Sequence, residues 1–186
     1  MNVPPVPVIA TQRCVLTLLV PQRAALLVDY RRRNQTHLAP WEPSLGTAQT
    51  LEQSCRGAAE RSVQGFADGT SVHFLALEPE NQTMVAGCNF TNIVRGSFLA
   101  CHLGYSVDQS WQGKGLMSEV LRAGMAYMFG TVGLHRIMAN HMPANQRSEK
   151  LLRTLGFERE GYARAYLQIA GKWEDMVLNA LVNPAP

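Results

Sequence analysis

The string Trp111-Gln112-Gly113-Lys114-Gly115 lies between a stretch of strand character, Phe98 to Val107, and a run in which Leu116, Met117, Val120, Leu121, Gly124, Tyr127 and Met128 share one face at a helical period. A strand, a glycine turn and an amphipathic helix in that order aim the unpaired N–H groups of a helix start at whatever sits beyond the strand end, which favours an anion. Lys114 adds a cation to the turn. Such a unit needs a sheet covered by helices, so it directs the chain toward an α/β fold. Two nucleotide-binding patterns are excluded. A Rossmann fingerprint needs a third glycine where Ser118 stands, and a Walker loop needs one where Asp108 stands. A plain strand-to-helix connection is the competing reading of the turn taken alone.

The rest of the chain alternates in the same way. Arg13 to Val20 reads as a strand ending at Pro21, which opens a helix to about Arg33. Asn34 to Gly46 has two prolines and no period and reads as a loop carrying Trp41, and Thr47 to about Gly65 reads as a second helix. Ser71 to Leu77, Met84 to Phe90 and Phe98 to Val107 then suggest three antiparallel strands in sequence. After the glycine-turn helix come a strand at Leu134 to His141, a helix at Asn145 to Leu155 stopped by Gly156, and a hairpin of Gly161 to Ile169 and Lys172 to Leu181 about Ala170-Gly171. The order β-α-α-β-β-β-α-β-α-β-β predicts a mixed sheet with helices on both faces. A length of 186 residues suits one domain over residues 1–186, with about 1–10 as an N-terminal extension and 183–186 as a tail.

Several function classes drop out. With 46% hydrophobic and 17% charged residues, neither disorder nor a coiled coil is expected. The longest nearly apolar run, Cys14 to Val20, is far below the roughly 20 residues of a membrane span. The N-terminus lacks the features of a secretory signal, so a cytoplasmic location is expected and the sequons at Asn34, Asn81 and Asn89 are chance matches. Cys14, Cys55, Cys88 and Cys101 form no close pair and read as reduced core residues. His37, His73, His102, His135 and His141 show no metal-ligand spacing, so no metal is expected. A net charge of +3 does not predict direct nucleic-acid binding, and Arg31-Arg32-Arg33 reads as a solvated helix end, with contact to RNA or to an acidic peptide as the alternative.

A second signature changes the weight of the glycine turn. Asn145-x-x-Ser148-x-x-Leu151-Leu152-x-x-Leu155-Gly156-Phe157, one strand after the glycine-turn helix, resembles the second motif of the GNAT N-acetyltransferase superfamily. That resemblance covers about Ser71 to Leu181 and implies a GNAT fold, a mixed and mostly antiparallel sheet of about six to seven strands with helices on both faces. Further strings, His37-Leu38-Ala39-Pro40-Trp41-Glu42-Pro43, Leu103-Gly104-Tyr105-Ser106, His135-Arg136-Ile137-Met138-Ala139-Asn140 and Leu155-Gly156-Phe157-Glu158-Arg159-Glu160-Gly161-Tyr162, are similar to the bacterial ribosomal-protein-alanine N-acetyltransferases of the RimJ type. The resemblance implies acetyl transfer from acetyl-CoA to the N-terminal alanine amine of a small-subunit ribosomal protein, free or in the assembling subunit.

What the resemblance implies for individual residues follows its motifs. The pyrophosphate would sit on the amides of Gln112, Gly113, Lys114, Gly115, Leu116 and Met117, with Ser110 where the superfamily usually has Gln or Arg. The pantetheine arm would lie along Tyr105, Ser106 and Val107, where a backbone N–H could polarise the thioester carbonyl. Asn145 would contact the cofactor, act as a helix cap, or both. Many relatives carry a tyrosine acid seven residues after that asparagine. Leu152 stands there in this chain, which leaves Ser148 as the candidate acid and a plain helix-start hydroxyl as its alternative. Glu42 and His102 are the candidate bases, and Trp41 and Glu42 would border the acceptor. Ordinary roles, a surface ion pair for Glu42 and a satisfied strand histidine for His102, remain open at this level. So do two other functions of the same fold: acetylation of a small amine, and acetyl-CoA binding without turnover.

Overall fold

In the computed structural model, which describes residues 6–42, 50–80 and 82–183, eight strands form one sheet in the order β1-β2-β3-β4-β5-β6-β8-β7. The chain runs through β1 (Val8–Ala10), β2 (Val15–Leu18), a short 3-10 turn, α1 (Ala24–Leu38), α2 (Leu51–Ala67), β3 (Val72–Leu77), β4 (Met84–Val94) and β5 (Ala100–Val107). It continues through α3 (Leu116–Gly130), β6 (Arg136–His141), α4 (Gln146–Thr154), β7 (Glu158–Ile169) and β8 (Lys172–Val182). The α/β class and the mixed, mostly antiparallel sheet agree with the sequence reading. The strand count is one above the expected range because Val8–Ala10 pairs antiparallel with Val15–Leu18, Ile9 opposite Leu16. Three residues are too few to show alternation, and Thr11 closes the turn by bonding Cys14 through both its backbone and its hydroxyl.

Parity along the strands divides the core. On β3, Phe74 and Ala76 turn to the face covered by α3, and Leu75 and Leu77 to the face covered by α1 and α2. Phe74 meets the ring edges of Phe90 and Tyr127 at centroid distances of 6.4 and 5.5 Å. Helix α3 settles closely on β4 because position 124 is glycine. A Cβ there would stand 3.1 Å from Phe90 Cε2 and 3.2 Å from Cys88 Sγ. Helix α2 starts where Thr50 and Gln53 close a reciprocal capping box. Residues 47–49 of the expected helix lie outside the described residues.

Helix α1 departs from expectation. Its last turn, Asn34–Leu38, was expected as loop, and its polar residues are helical for a tertiary reason. Asn34 is 1% exposed, and its amide donates to Tyr30 O and to Asp108 Oδ2, both at 2.9 Å, while its Oδ1 accepts from the Gln109 backbone. The buried amide therefore ties the end of α1 to the end of β5.

The feature that positions the site is a gap in the sheet. Strands β5 and β6 run parallel, joined by the crossover helix α3, but they pair only from Ala100 opposite Arg136 to His102 opposite Met138. Beyond that point β6 stays with β8 and β5 stays with β4, so Leu103–Val107 has no β6 partner.

Candidate active site

Two cavities meet at this gap. One, of about 820 Å³, lies between the β5 end, the glycine turn and the start of α4. The other, of about 730 Å³, lies on the sheet face floored by Asn89, Thr91, His102 and Asn140. Tyr105, Ser106, Asn145, Ser148 and Trp41 line both. Of the sequence candidates, the structure thus gathers Ser148, Asn145, Tyr105, Ser106 and Trp41 at one junction, with Val107 and the turn on one side and Glu42 and His102 on the other.

On the larger side, Gly113 and Gly115 have φ of +70° and +75°, and a Cβ on Gly113 would meet nothing within 4 Å. The turn is an open concave cradle that a side chain would fill, and the first amides of α3 lack partners inside their own helix. Arg13 braces it from behind. Its guanidinium donates to Lys114 O and to Glu119 Oε2, each at 2.7 Å, and its backbone N–H to Glu119 Oε1 at 2.8 Å. The donor set and the empty space fit a pyrophosphate.

Two expected contributions to the turn differ. The Gln112 N–H is spent on Gln109 O at 3.3 Å, so its backbone is not a free donor. Its side chain is what reaches the cavity: Arg147 donates to Oε1 at 2.5 Å, so Nε2 faces His37 Nε2 at 2.8 Å and donates to it. Lys114 folds its ammonium over the Trp111 ring, 5.6 Å from the centroid, and is not among the lining residues. Ser110 turns inward, its hydroxyl donating to Asp108 Oδ1 at 2.7 Å.

At the junction, Tyr105 Oη and Ser148 Oγ are 2.5 Å apart. Strand parity sends Tyr105 to the α4 face, and the Asn145 cap places Ser148 there by accepting its N–H at 3.1 Å. Burial pushes the Tyr105 phenol up to about 12, although the Ser148 bond pulls the other way. The next residue points to the opposite face, where Ser106 Oγ accepts from Tyr30 Oη at 2.9 Å. Sequence reasoning assigned Tyr105 only to the cofactor arm. The available signal was its parity: a phenol among Cys101 and Leu103 on a core-facing stripe needs a polar partner.

On the smaller side, the floor is amide-rich. Arg31 and Glu42 are the only Asp, Glu, Lys or Arg side chains among the described lining residues. Burial raises the Glu42 carboxyl above its ordinary value, against the pull of Arg31. Burial lowers the His102 imidazole, and its Nδ1 is buried without a partner. A proton on Nδ1 would be an unpaired buried donor, so the neutral ring carries its proton on Nε2. The far wall is a bulge in β7, where Ala165 has a φ of +46°. Asp175 holds it, accepting from Ala165 N at 2.8 Å and Tyr162 Oη at 2.5 Å, and the bulge brings Tyr166 and Leu167 to the cavity. Of the basic run, Arg32 pairs with Glu52 and Arg33 with Asp108, leaving Arg31 at the cavity. Among the described residues no group of His, Cys, Asp or Glu is placed to hold a metal, and no helix is long and apolar enough to cross a membrane.

Comparison with known proteins gives one answer. Residues 13–158 match the family described as Acetyltransferase (GNAT) domain. The [ribosomal protein uS5]-alanine N-acetyltransferase of Escherichia coli is 44% identical over 183 residues, covering 98% of this chain and 94% of that one. Among solved structures, the ribosomal-protein-S5-alanine acetyltransferase of Vibrio fischeri superposes with a TM-score of 0.90 at 32% identity, over 96% of this chain and 98% of that one. RimJ of Mycobacterium smegmatis, in complex with CoA-disulfide, gives 0.84 at 27% identity over 95% and 86%. With a cradle for an anion, a gap in the sheet and two cavities joined through it, the chain belongs to the GNAT acetyltransferase family.

Proposed function

We propose that this chain is a cytoplasmic acetyltransferase, a single domain that moves the acetyl group of acetyl-CoA to the N-terminal alanine amine of a small-subunit ribosomal protein. The observation that carries this reading is the meeting of two differently built cavities at Tyr105, Asn145 and Ser148. The anion cradle suits the pyrophosphate of acetyl-CoA, with the amides of Gly113, Lys114, Gly115, Leu116 and Met117 as its donors and the Gln112 side chain closing it. The unpaired edge at Tyr105, Ser106 and Val107 suits the pantetheine arm, and an N–H there suits the thioester oxygen. The neutral, amide-rich floor suits an extended peptide with its many backbone hydrogen-bonding groups. The first of the relatives above, named for uS5 alanine, supports the acceptor class at 44% identity.

Roles follow from the chemistry of each side chain. Trp41 walls the acceptor. Glu42 receives the incoming ammonium and takes a proton from it, helped by a carboxyl already raised by burial. His102, expected as a base, is better suited to donate from Nε2 to a peptide carbonyl. Ser148 serves the leaving sulfur. A polyamine would want several carboxylates, and Glu42 is the one carboxylate among the described lining residues.

The test is mass spectrometry of small ribosomal subunits from an acetylation-deficient source after incubation with the protein and acetyl-CoA. One protein beginning with alanine gains a single acetyl group. Acetylation of none of them, with acetyl-CoA still bound, overturns the acceptor assignment. Glu42→Gln is expected to raise the acceptor KM about tenfold, which corresponds to about 1.4 kcal/mol, and to leave acetyl-CoA affinity unchanged. Steady-state kinetics with a peptide of the acceptor's N-terminus checks this.

A further inference from the structure

Acetyl transfer leaves a proton to be moved. When the neutral amine attacks the thioester carbon, a C–N bond forms and the nitrogen becomes positive. When the tetrahedral centre collapses, the C–S bond breaks and sulfur leaves with the electron pair. Nitrogen must lose one proton and sulfur must gain one, and the two atoms approach from different cavities.

Resting on the function proposed above, we infer that Tyr105 and Ser148 form a proton relay between these cavities, carrying the amine's proton to the departing sulfur. Both residues line both cavities, and their hydroxyl oxygens are 2.5 Å apart. No other described side chain bonds the Tyr105 hydroxyl, which leaves its second position free for a substrate. Nitrogen passes its proton to Tyr105 Oη, Tyr105 passes its own to Ser148 Oγ, and Ser148 passes its own to sulfur. Each hydroxyl gives one proton and takes one, so neither ends charged and no co-reactant is required. A phenol held near 12 is suited to this, because it conducts a proton without resting as a phenolate. The relay fills the place left by Leu152 with a tyrosine from β5 in series with the α4 serine.

Tyr105→Phe, Ser148→Ala and the double variant test it, with acetyl-CoA affinity, kcat and kcat in H2O/D2O mixtures as readouts on the intact protein. Each single variant is expected to lose on the order of 100-fold in kcat at unchanged acetyl-CoA affinity. The double variant loses no more than either single one, since breaking a chain twice does no further harm. The wild-type dependence on deuterium fraction is curved, as three protons moving together require, and the curvature disappears in both single variants. Ser148→Thr, which keeps a hydroxyl, retains it. Multiplicative losses in the double variant, or Tyr105→Phe within twofold of wild type, overturn the relay while leaving the acetyltransferase reading intact. Wild-type protein that transfers acetyl to neither ribosomal protein nor any amine overturns both.

Discussion

Gly113→Val is expected to lower acetyl-CoA affinity on the order of 100-fold while the protein stays folded. Two effects add. The turn holds position 113 at a φ of +70°, where an L side chain costs about 1–2 kcal/mol and a β-branched one sits at the upper end. The added side chain also enters open space, since beyond its chain neighbours a Cβ at position 113 would meet nothing within 4 Å. That emptiness means the free protein does not resist the substitution by collision, so the steric loss appears when a ligand needs the cradle. A hundredfold corresponds to about 2.7 kcal/mol. Calorimetric titration with CoA measures the affinity, and a thermal midpoint within a few degrees of wild type shows the fold survives. Unchanged affinity would remove the turn from the cofactor site.

The glycine turn could be read from sequence because its meaning is local: two glycines, a strand before and an amphipathic helix after. The same holds for α3, for the Asn145 cap and for the place of the hairpin turn at Gly171, whose φ of +81° suits a glycine, although Ala170 beside it is held at +47° against its own preference. What was not legible depends on contacts far apart in the chain. The last turn of α1 looks like loop until Asp108, 74 positions away, satisfies the Asn34 amide. The Gln112 side chain looks like a surface group until His37 and Arg147 converge on it. Tyr105 and Ser148 stand 43 residues apart and meet only because β5 and α4 flank the same gap. Spacing finds what a helix or strand period brings together, and pairs closed by topology need the fold.

Asp108→Ala should cost about 3 kcal/mol of stability and disturb both cavities together. Asp108 is 8% exposed and joins three elements. Its Oδ1 accepts from Ser110 N and Oγ at 2.9 and 2.7 Å, fixing the turn that leads to Gly113, and its Oδ2 accepts from Asn34 at 2.9 Å and Arg33 at 3.4 Å, fixing α1. Removing the carboxylate leaves the Asn34 amide buried without its charged partner, a loss of about 1–3 kcal/mol before the Ser110 bonds are counted. Burial raises this carboxyl, but the Asn34 and Ser110 bonds and the Arg33 charge outweigh it, and the net shift is downward. A folded-state value below the unfolded one of about 3.9 means the contribution is fully present above that pH and is lost as pH falls through the folded value. Urea midpoints from pH 7 down to 3 should therefore fall less steeply in Asp108→Asn than in wild type, because the amide keeps an acceptor for Asn34 but cannot titrate. An equal acid slope in the two proteins would remove Asp108 from the acid response. A full loss in Asp108→Ala without change in acetyl-CoA or acceptor binding would separate the strut from the site it joins, since Trp41 and Glu42 follow directly from the α1 end that Asp108 anchors.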